Sequence, residues 1–305
     1  MRSLRVLAAV TALFGYVLVA LSPIVRITGS GMGCGDDWPL CNGRLIPPLD
    51  RLDVMIEWGH RMAVVGLTVL VVALLAVAWG QRRQPGVSGQ GGVLRPAVWA
   101  AVLLVLQSLL GAITVWLELP PAVVVIHLGN AMALLAVLCV AAWRAHGAVA
   151  GPAAANRPSS RAWRSALVAA GLGGVALLLG GLTANLHAGM ACTGFPLCSG
   201  QWWPAAGAGG LAHIHWTHRL VAYALALHLI GMVVSLRRRG EPRAVQVATW
   251  LAVGVLAAHV GVAVWMIGQA LPLSLRASHA ALGALVWVCL VYVGWHARPA
   301  AVPTA

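Results

Sequence analysis

The sequence predicts an all-α integral membrane protein: eight transmembrane helices forming two pseudo-symmetric four-helix bundles in parallel orientation. Three observations predict it. The chain is 60% hydrophobic and only 9% charged, which is too apolar for a domain whose surface meets water. It holds eight apolar runs, each long enough to cross a hydrocarbon layer of about 30 Å. Blocks of residues from the first half also return, in order, in the second.

The runs lie at 4–22, 56–79, 97–117, 122–143, 165–186, 214–236, 245–267 and 275–295. The first, "VLAAVTALFGYVLVALSPIV", follows a basic start, yet it is long for a signal peptide and shows no convincing cleavage site; it reads as a retained first helix. The net charge of +13 comes from arginine, since the chain contains no lysine. Arg2, Arg5, Arg82, Arg83, Arg95, Arg144, Arg157, Arg161, Arg164, Arg237, Arg238, Arg239, Arg243 and Arg298 all fall on one side of a chain that crosses eight times. The opposite loops carry Asp36, Asp37, Asp50, Asp53 and Glu118. This asymmetry expects both termini on the cytoplasmic side of the inner membrane, and it turns the arginines into topology signals rather than a nucleic-acid surface.

The second run opens on "IEWGHRMAVVGL" (Ile56–Leu67), which returns as "IHWTHRLVAYAL" (Ile214–Leu225) with Glu57 replaced by His215. The loop before it, "GCGDDWPLCNG" (Gly33–Gly43), answers "ACTGFPLCSG" (Ala191–Gly200). "GAITVWLELPPAVVVIHLGNAMALL" (Gly111–Leu135) answers "GVAVWMIGQALPLSLRASHAALGAL" (Gly261–Leu285), setting His127 against His279. An even number of crossings separates the copies, hence the parallel orientation. The expected organisation is a first half at 1–143, a basic cytoplasmic linker at 144–164 and a second half at 165–305.

Cys34 and Cys41, and Cys192 and Cys198, lie in the outward loops as C-x6-C and C-x5-C. Close pairs in an oxidising compartment become disulfides, and neither spacing is a usual zinc pattern. Cys139 and Cys289 fall inside helices and read as small apolar residues.

Ionisable residues in membrane helices mark function by default, so the eleven histidines need sorting. The next cytoplasmic-side arginine lies 22 residues beyond His60, 17 beyond His127, 19 beyond His218 and 19 beyond His279. These four therefore sit at matched height near the outer interface, two per half. Two facing imidazoles on bundle helices are what a six-coordinate haem iron needs, one axial ligand from each side of the macrocycle. Arg61 and Arg219 can pair with haem propionates through a planar fork. Trp58 and Trp216 suit an interface belt or a macrocycle wall. The absence of C-x-x-C-H means that such a haem is held without covalent attachment. His146, His187, His213 and His296 read as solvated, while His228 and His259 sit deeper without counterparts in the other half. Glu57 and His215 each lie three residues before a candidate ligand, on the same helix face. A carboxylate beside only one macrocycle fits a half that does chemistry on its haem.

In these residues the chain resembles the haem A synthase family: eight helices in two halves, "EWGHR" and "HWTHR", His127 and His279, and the cysteine pair in "GSGMGCGDDWPLCNG". The resemblance implies an oxidoreductase that converts a ring methyl of haem O to the formyl group of haem A, through a hydroxymethyl stage, for cytochrome oxidase biogenesis. It places His60 and His127 at the haem O site, His218 and His279 as ligands of a resident haem b, and Glu57 in catalysis. Cys34 and Cys41 match the family's functional loop pair; Cys192 and Cys198 are less general in it. Implied partners are haem O synthase, an electron donor and the bilayer. The rival readings are a bis-histidine cytochrome passing electrons from quinone, a membrane thiol oxidoreductase using the loop cysteines, and a transporter.

Overall fold

The computed structural model describes residues 2–48, 50–89, 91–147, 158–205 and 207–298. The helices are α1 (Arg2–Ile27), α2 (Leu52–Gly80), α3 (Leu94–Trp116), α4 (Pro121–Ala145), α5 (Ser160–Asn185), α6 (Gly209–Arg238), α7 (Arg243–Gly268) and α8 (Leu273–Ala297). Each is long and apolar enough to cross a membrane. Among the described residues the only β pairing is an isolated bridge in each cysteine loop, Cys41 with Arg44 and Cys198 with Gln201.

Each apolar run falls on one helix, with 97–117 and 165–186 overshooting the ends of α3 and α5 by one residue, and most helices extend further, α5 starting at Ser160 and α1 ending at Ile27. Hydropathy stops where arginine begins; backbone hydrogen bonding does not, and an arginine stem stays on the helix while its head reaches water. Proline marks several starts: Pro121 opens α4, and Pro242 and Pro272 precede α7 and α8, positions where the missing N–H costs nothing. Ser159 caps α5 by accepting from the Ala162 N–H, and the buried Glu241 carboxylate accepts from Ser159 N at 3.0 Å.

The chain divides into two compact units, Met1–Val149 and Ala150–Ala305. Residues 148–157, the middle of the expected linker, lie outside the described residues; its flanks are helical, Arg144 within α4 and Arg164 within α5. In the first unit α1 packs on α2, α2 on α3, α3 on α4 and α4 on α1; in the second, α5 to α8 repeat that ring. The second and fourth helices of each unit therefore lie on a diagonal. The core of the first unit gathers Leu4, Ala8, Leu67, Val71, Leu74, Ala97, Leu104, Leu134, Leu138 and Ala141. That is the end where α1 and α3 start and α2 and α4 finish. The second unit repeats this with Ala162, Ala166, Leu225, Leu229, Val245, Ala252, Val286 and Leu290. The opposite end of each bundle is left for His60 and His127 in the first unit and for His218 and His279 in the second.

The turn from third to fourth helix is built alike in both units. Glu118 and Leu119 sit at φ 57° and 63°, Ala270 and Leu271 at φ 55° and 63°, a left-handed conformation that non-glycine residues adopt only when held. Backbone bonds close it, Leu119 N to Thr114 O at 2.8 Å and Leu271 N to Met266 O at 2.9 Å, and the leucine side chain packs on a glycine of the cysteine loop: a Cβ on Gly31 would meet Leu119 Cδ1 at 2.8 Å, and one on Gly189 would meet Leu271 Cδ1 at 2.8 Å.

Candidate functional site

Loop and helix meet first at the cysteines. Cys34–Cys41 and Cys192–Cys198 are both bonded, with Cα separations of 4.4 and 4.7 Å, while Cys139 and Cys289 are free thiols on helices. In the first unit Glu57 is 4% exposed, and both its oxygens are occupied. Oε2 accepts from the Cys34 N–H at 2.8 Å and Oε1 from Arg61 Nη2 at 2.5 Å. Arg61 Nη1 donates to the carbonyls of Asp37, at 2.7 Å, and Leu40, and Trp58 Nε1 donates to Leu45 O at 2.9 Å. Gly33 permits the approach: a Cβ there would stand 2.6 Å from the Asp53 carbonyl.

The second unit keeps the clamp and changes its charge. Arg219, 6% exposed, donates through Nη1 to the carbonyls of Gly194 at 2.8 Å and Leu197 at 3.0 Å, and through Nη2 to Cys192 O at 2.5 Å. Its Nε donates to His215 Nε2 at 3.2 Å. An imidazole that accepts at Nε2 carries its proton on Nδ1, and His215 Nδ1 lies 3.0 Å from the Ala188 carbonyl, so His215 here is a neutral ring. A buried ion pair in one unit thus corresponds to a neutral hydrogen-bonded pair in the other. In both, the arginine that sequence alone directs toward propionates holds its own cysteine loop.

His60 on α2 and His127 on α4 stand on one diagonal, each near the N-terminal end of its helix; His218 on α6 and His279 on α8 do the same. All four are half-buried. His218 Nδ1 donates to the Ala176 carbonyl at 2.9 Å, which leaves the Nε2 lone pair for a metal in the arrangement typical of ligating histidines. The fit is close, because a Cβ on Gly180 would stand 2.9 Å from His218 Cε1. His279 Nδ1 is buried without a partner among the described residues. No group of three or more His, Cys, Asp or Glu is placed among the described residues to hold a bare metal ion. Diagonal pairs instead suit a metal that brings its own equatorial ligands, which is the donor set of a haem.

Sequence reasoning missed the polar groups that meet these rings. Gln107 Nε2 lies 3.0 Å from His127 Nε2, Asn130 Nδ2 donates to Gln107 Oε1 at 2.6 Å, and Ser22 Oγ is 3.5 Å from His60 Nδ1. His259 lies against His279 with ring centroids 4.1 Å apart. The signal was present: Gln107 and Asn130 are amides inside apolar runs, and uncharged polar residues there also need partners. Of the other histidines, His228 Nε2 donates to Ser165 O at 2.9 Å, His213 and His146 bond carbonyls of their own helices, and His296 meets Tyr292 edge to face at 4.5 Å.

Eight membrane-length helices, in two units that each set a diagonal histidine pair at the same end as a disulfide-clasped loop, define a duplicated membrane protein. The chain belongs to the cytochrome oxidase assembly protein family, whose model matches residues 5–54 and 51–291. It is 32% identical over 255 residues, 83% of this chain and 82% of the relative, to a protein of Alkalihalophilus pseudofirmus named heme A synthase. Proteins of the same name from Shouchella clausii and Halalkalibacterium halodurans are 29% and 27% identical, each over 96% of both chains.

Proposed function

We propose that this chain is a haem A synthase of the cytoplasmic membrane, oxidising a ring methyl of haem O to a formyl group by way of a hydroxymethyl stage. The first unit receives haem O between His60 and His127; the second keeps a haem b between His218 and His279. Haem O synthase as supplier and an electron donor complete the reading. The observation that carries it is the contrast between two matched clamps, one holding the carboxylate of Glu57 and the other the neutral ring of His215. A chain that only relays electrons through two haems has no use for that difference.

The bound haem supplies the redox chemistry at iron and macrocycle. The protein orients and charges the site. Glu57 lies three residues before His60, on the face that looks toward the same macrocycle, and the Cys34 N–H and Arg61 hold its two oxygens in place. A preorganised carboxylate stabilises positive charge developing at the methyl carbon, or accepts a proton there. The disulfide-clasped loop closes over this end. Arg61 and Arg219 serve first as loop clamps, and propionate pairing is a second use of the same guanidinium forks.

The test is a pigment analysis of protein purified from cells with and without a haem O supply. Haem O, its hydroxylated form or haem A should accompany the wild-type protein, with haem b present in both cultures. Glu57→Gln keeps the side-chain shape and removes the charge; haem O or the hydroxylated form should accumulate at the expense of haem A. His215→Glu should create no second reaction site. Haem b alone in every preparation would point to the bis-histidine cytochrome instead, and near-normal haem A from Glu57→Gln would remove the catalytic role of Glu57.

A further inference from the structure

The two units match in helix, turn and clamp, and they part company at the groups that touch their histidines. Gln107 and His259 occupy equivalent positions, each nine residues before the end of the third helix of its unit. Asn130 corresponds to Leu282 when counted from the matching turns at Leu119 and Leu271. The second unit therefore lacks the amide pair altogether.

Hydrogen-bond logic settles the direction of that amide chain. The Leu103 carbonyl can only accept, and Asn130 Nδ2 donates to it at 3.0 Å. The other N–H of the same amide donates to Gln107 Oε1 at 2.6 Å. Gln107 must then present its NH2 to His127, and His127 Nε2, 3.0 Å away, must be the acceptor. The lone pair that iron would use is already engaged. The other ring nitrogen is no substitute: Nδ1 is buried without a partner among the described residues, and a Cβ on Gly111 of α3 would come within 4.0 Å of it.

A second difference has the same sense. In the second unit the Ala176 carbonyl receives the Nδ1–H of His218, next to a glycine, Gly180. In the first unit the corresponding residues, 158 positions earlier, are Leu18 and Ser22. Ser22 Oγ donates to Leu18 O at 2.6 Å and so occupies the carbonyl that would anchor His60. His60 Nδ1 is left with the serine oxygen at 3.5 Å, a marginal contact.

We propose that Gln107, oriented by Asn130, competes with iron for His127 Nε2, and that Ser22 withholds a backbone anchor from His60, so that the first unit is an exchangeable haem site. The second unit, which lacks both devices, retains its haem. The inference rests on the reading that the first unit takes haem O and must let its product go. An enzyme whose substrate is itself a bis-histidine haem needs a site that binds and releases, since two well-anchored imidazoles would make product departure slow. When Gln107 returns to His127 it satisfies both groups, and the alternative of a buried, unpaired amide is unfavourable.

The experiment uses the full-length protein, purified and loaded with ferric haem O, and follows transfer of haem to excess apomyoglobin by its absorbance. Wild-type protein should release haem in a fast and a slow phase, the fast one missing from His127→Ala. Gln107→Leu should slow the fast phase about fivefold, the effect of removing one competing hydrogen bond. Ser22→Gly, which recreates the second unit's anchor, should slow it about tenfold, and both variants should show a larger low-spin fraction at rest. Asn130→Leu should act in the same direction as Gln107→Leu, and with Ser22→Gly it decides the matter if Gln107→Leu also loses the slow phase through misfolding. An unchanged or accelerated fast phase overturns the proposal, since Gln107 would then support ligation. Absence of any His127-dependent phase in the wild type would instead sink the haem site itself.

Discussion

His218 and His60 occupy corresponding places, yet the first binds a helix carbonyl through Nδ1 at 2.9 Å and the second meets a serine hydroxyl at 3.5 Å. At the residue scale the units are told apart by such single atoms: a Ser for a Gly beside the ring, a Gln for a His across from it, a Glu for a His beneath the loop. Gly180 is the most exposed to test. Gly180→Ala puts a Cβ 2.9 Å from His218 Cε1, and since the ring is held by the Ala176 carbonyl it cannot move without losing that bond; overpacking of this kind costs about 1–3 kcal/mol. If the second unit holds the proposed haem b, its low-spin spectrum should weaken or shift in Gly180→Ala and disappear in His218→Ala and His279→Ala. Spectra unchanged in all three would move the ligand assignment to His259, whose ring already lies beside His279. The four candidate ligands and Glu57 could be picked from the sequence because they are ionisable residues in apolar runs. Gln107, Asn130 and Ser22 also stand in such runs, but an amide or a hydroxyl there has several uses and only its contacts choose among them.

The cysteine loop is the element that joins chemistry to fold. Its Cys34 N–H holds Glu57, its Asp37 and Leu40 carbonyls are held by Arg61, and its Gly31 receives Leu119 from the turn between α3 and α4. A loop tied at so many points places the Glu57 carboxylate, and the disulfide closes its short span. Mass mapping without reductant should find Cys34 joined to Cys41 and Cys192 to Cys198. The double change Cys34→Ser with Cys41→Ser should lower haem A yield several-fold while leaving the amount of membrane protein and its thermal unfolding nearly as in the wild type, because the helices bury their own cores. Unfolding lowered in parallel with yield would make the bridge a fold determinant instead. The disulfides were legible from spacing and expected compartment; the link from Cys34 to Glu57 was not, since it spans 23 residues and runs through a backbone N–H.

For the whole molecule, arginine carries the orientation. The basic residues at the start of α1, the end of α4, the start of α5 and the end of α6 belong to one side of an eight-span chain, and placing them in the cytoplasm follows the usual bias. The termini are accordingly proposed to be cytoplasmic. A C-terminal reporter that is active only in the cytoplasm should be active, and one that is active only outside it silent; the reverse pair of results would invert the topology and put the cysteine loops in a reducing compartment, at odds with their bonds.

Apolar runs of membrane length were enough to determine eight helices, and the histidines placed inside them were enough to nominate candidate ligands, because a bilayer leaves a chain few choices beyond satisfying its backbone within each span. Tertiary structure decided what those residues do to one another. It closed each set of four helices into a ring with a histidine pair on its diagonal, turned two arginines onto loop carbonyls, and gave His127 an amide partner that His279 lacks. Such outcomes depend on distances between residues far apart in the chain, set by the packing of whole helices, and no local pattern encodes them.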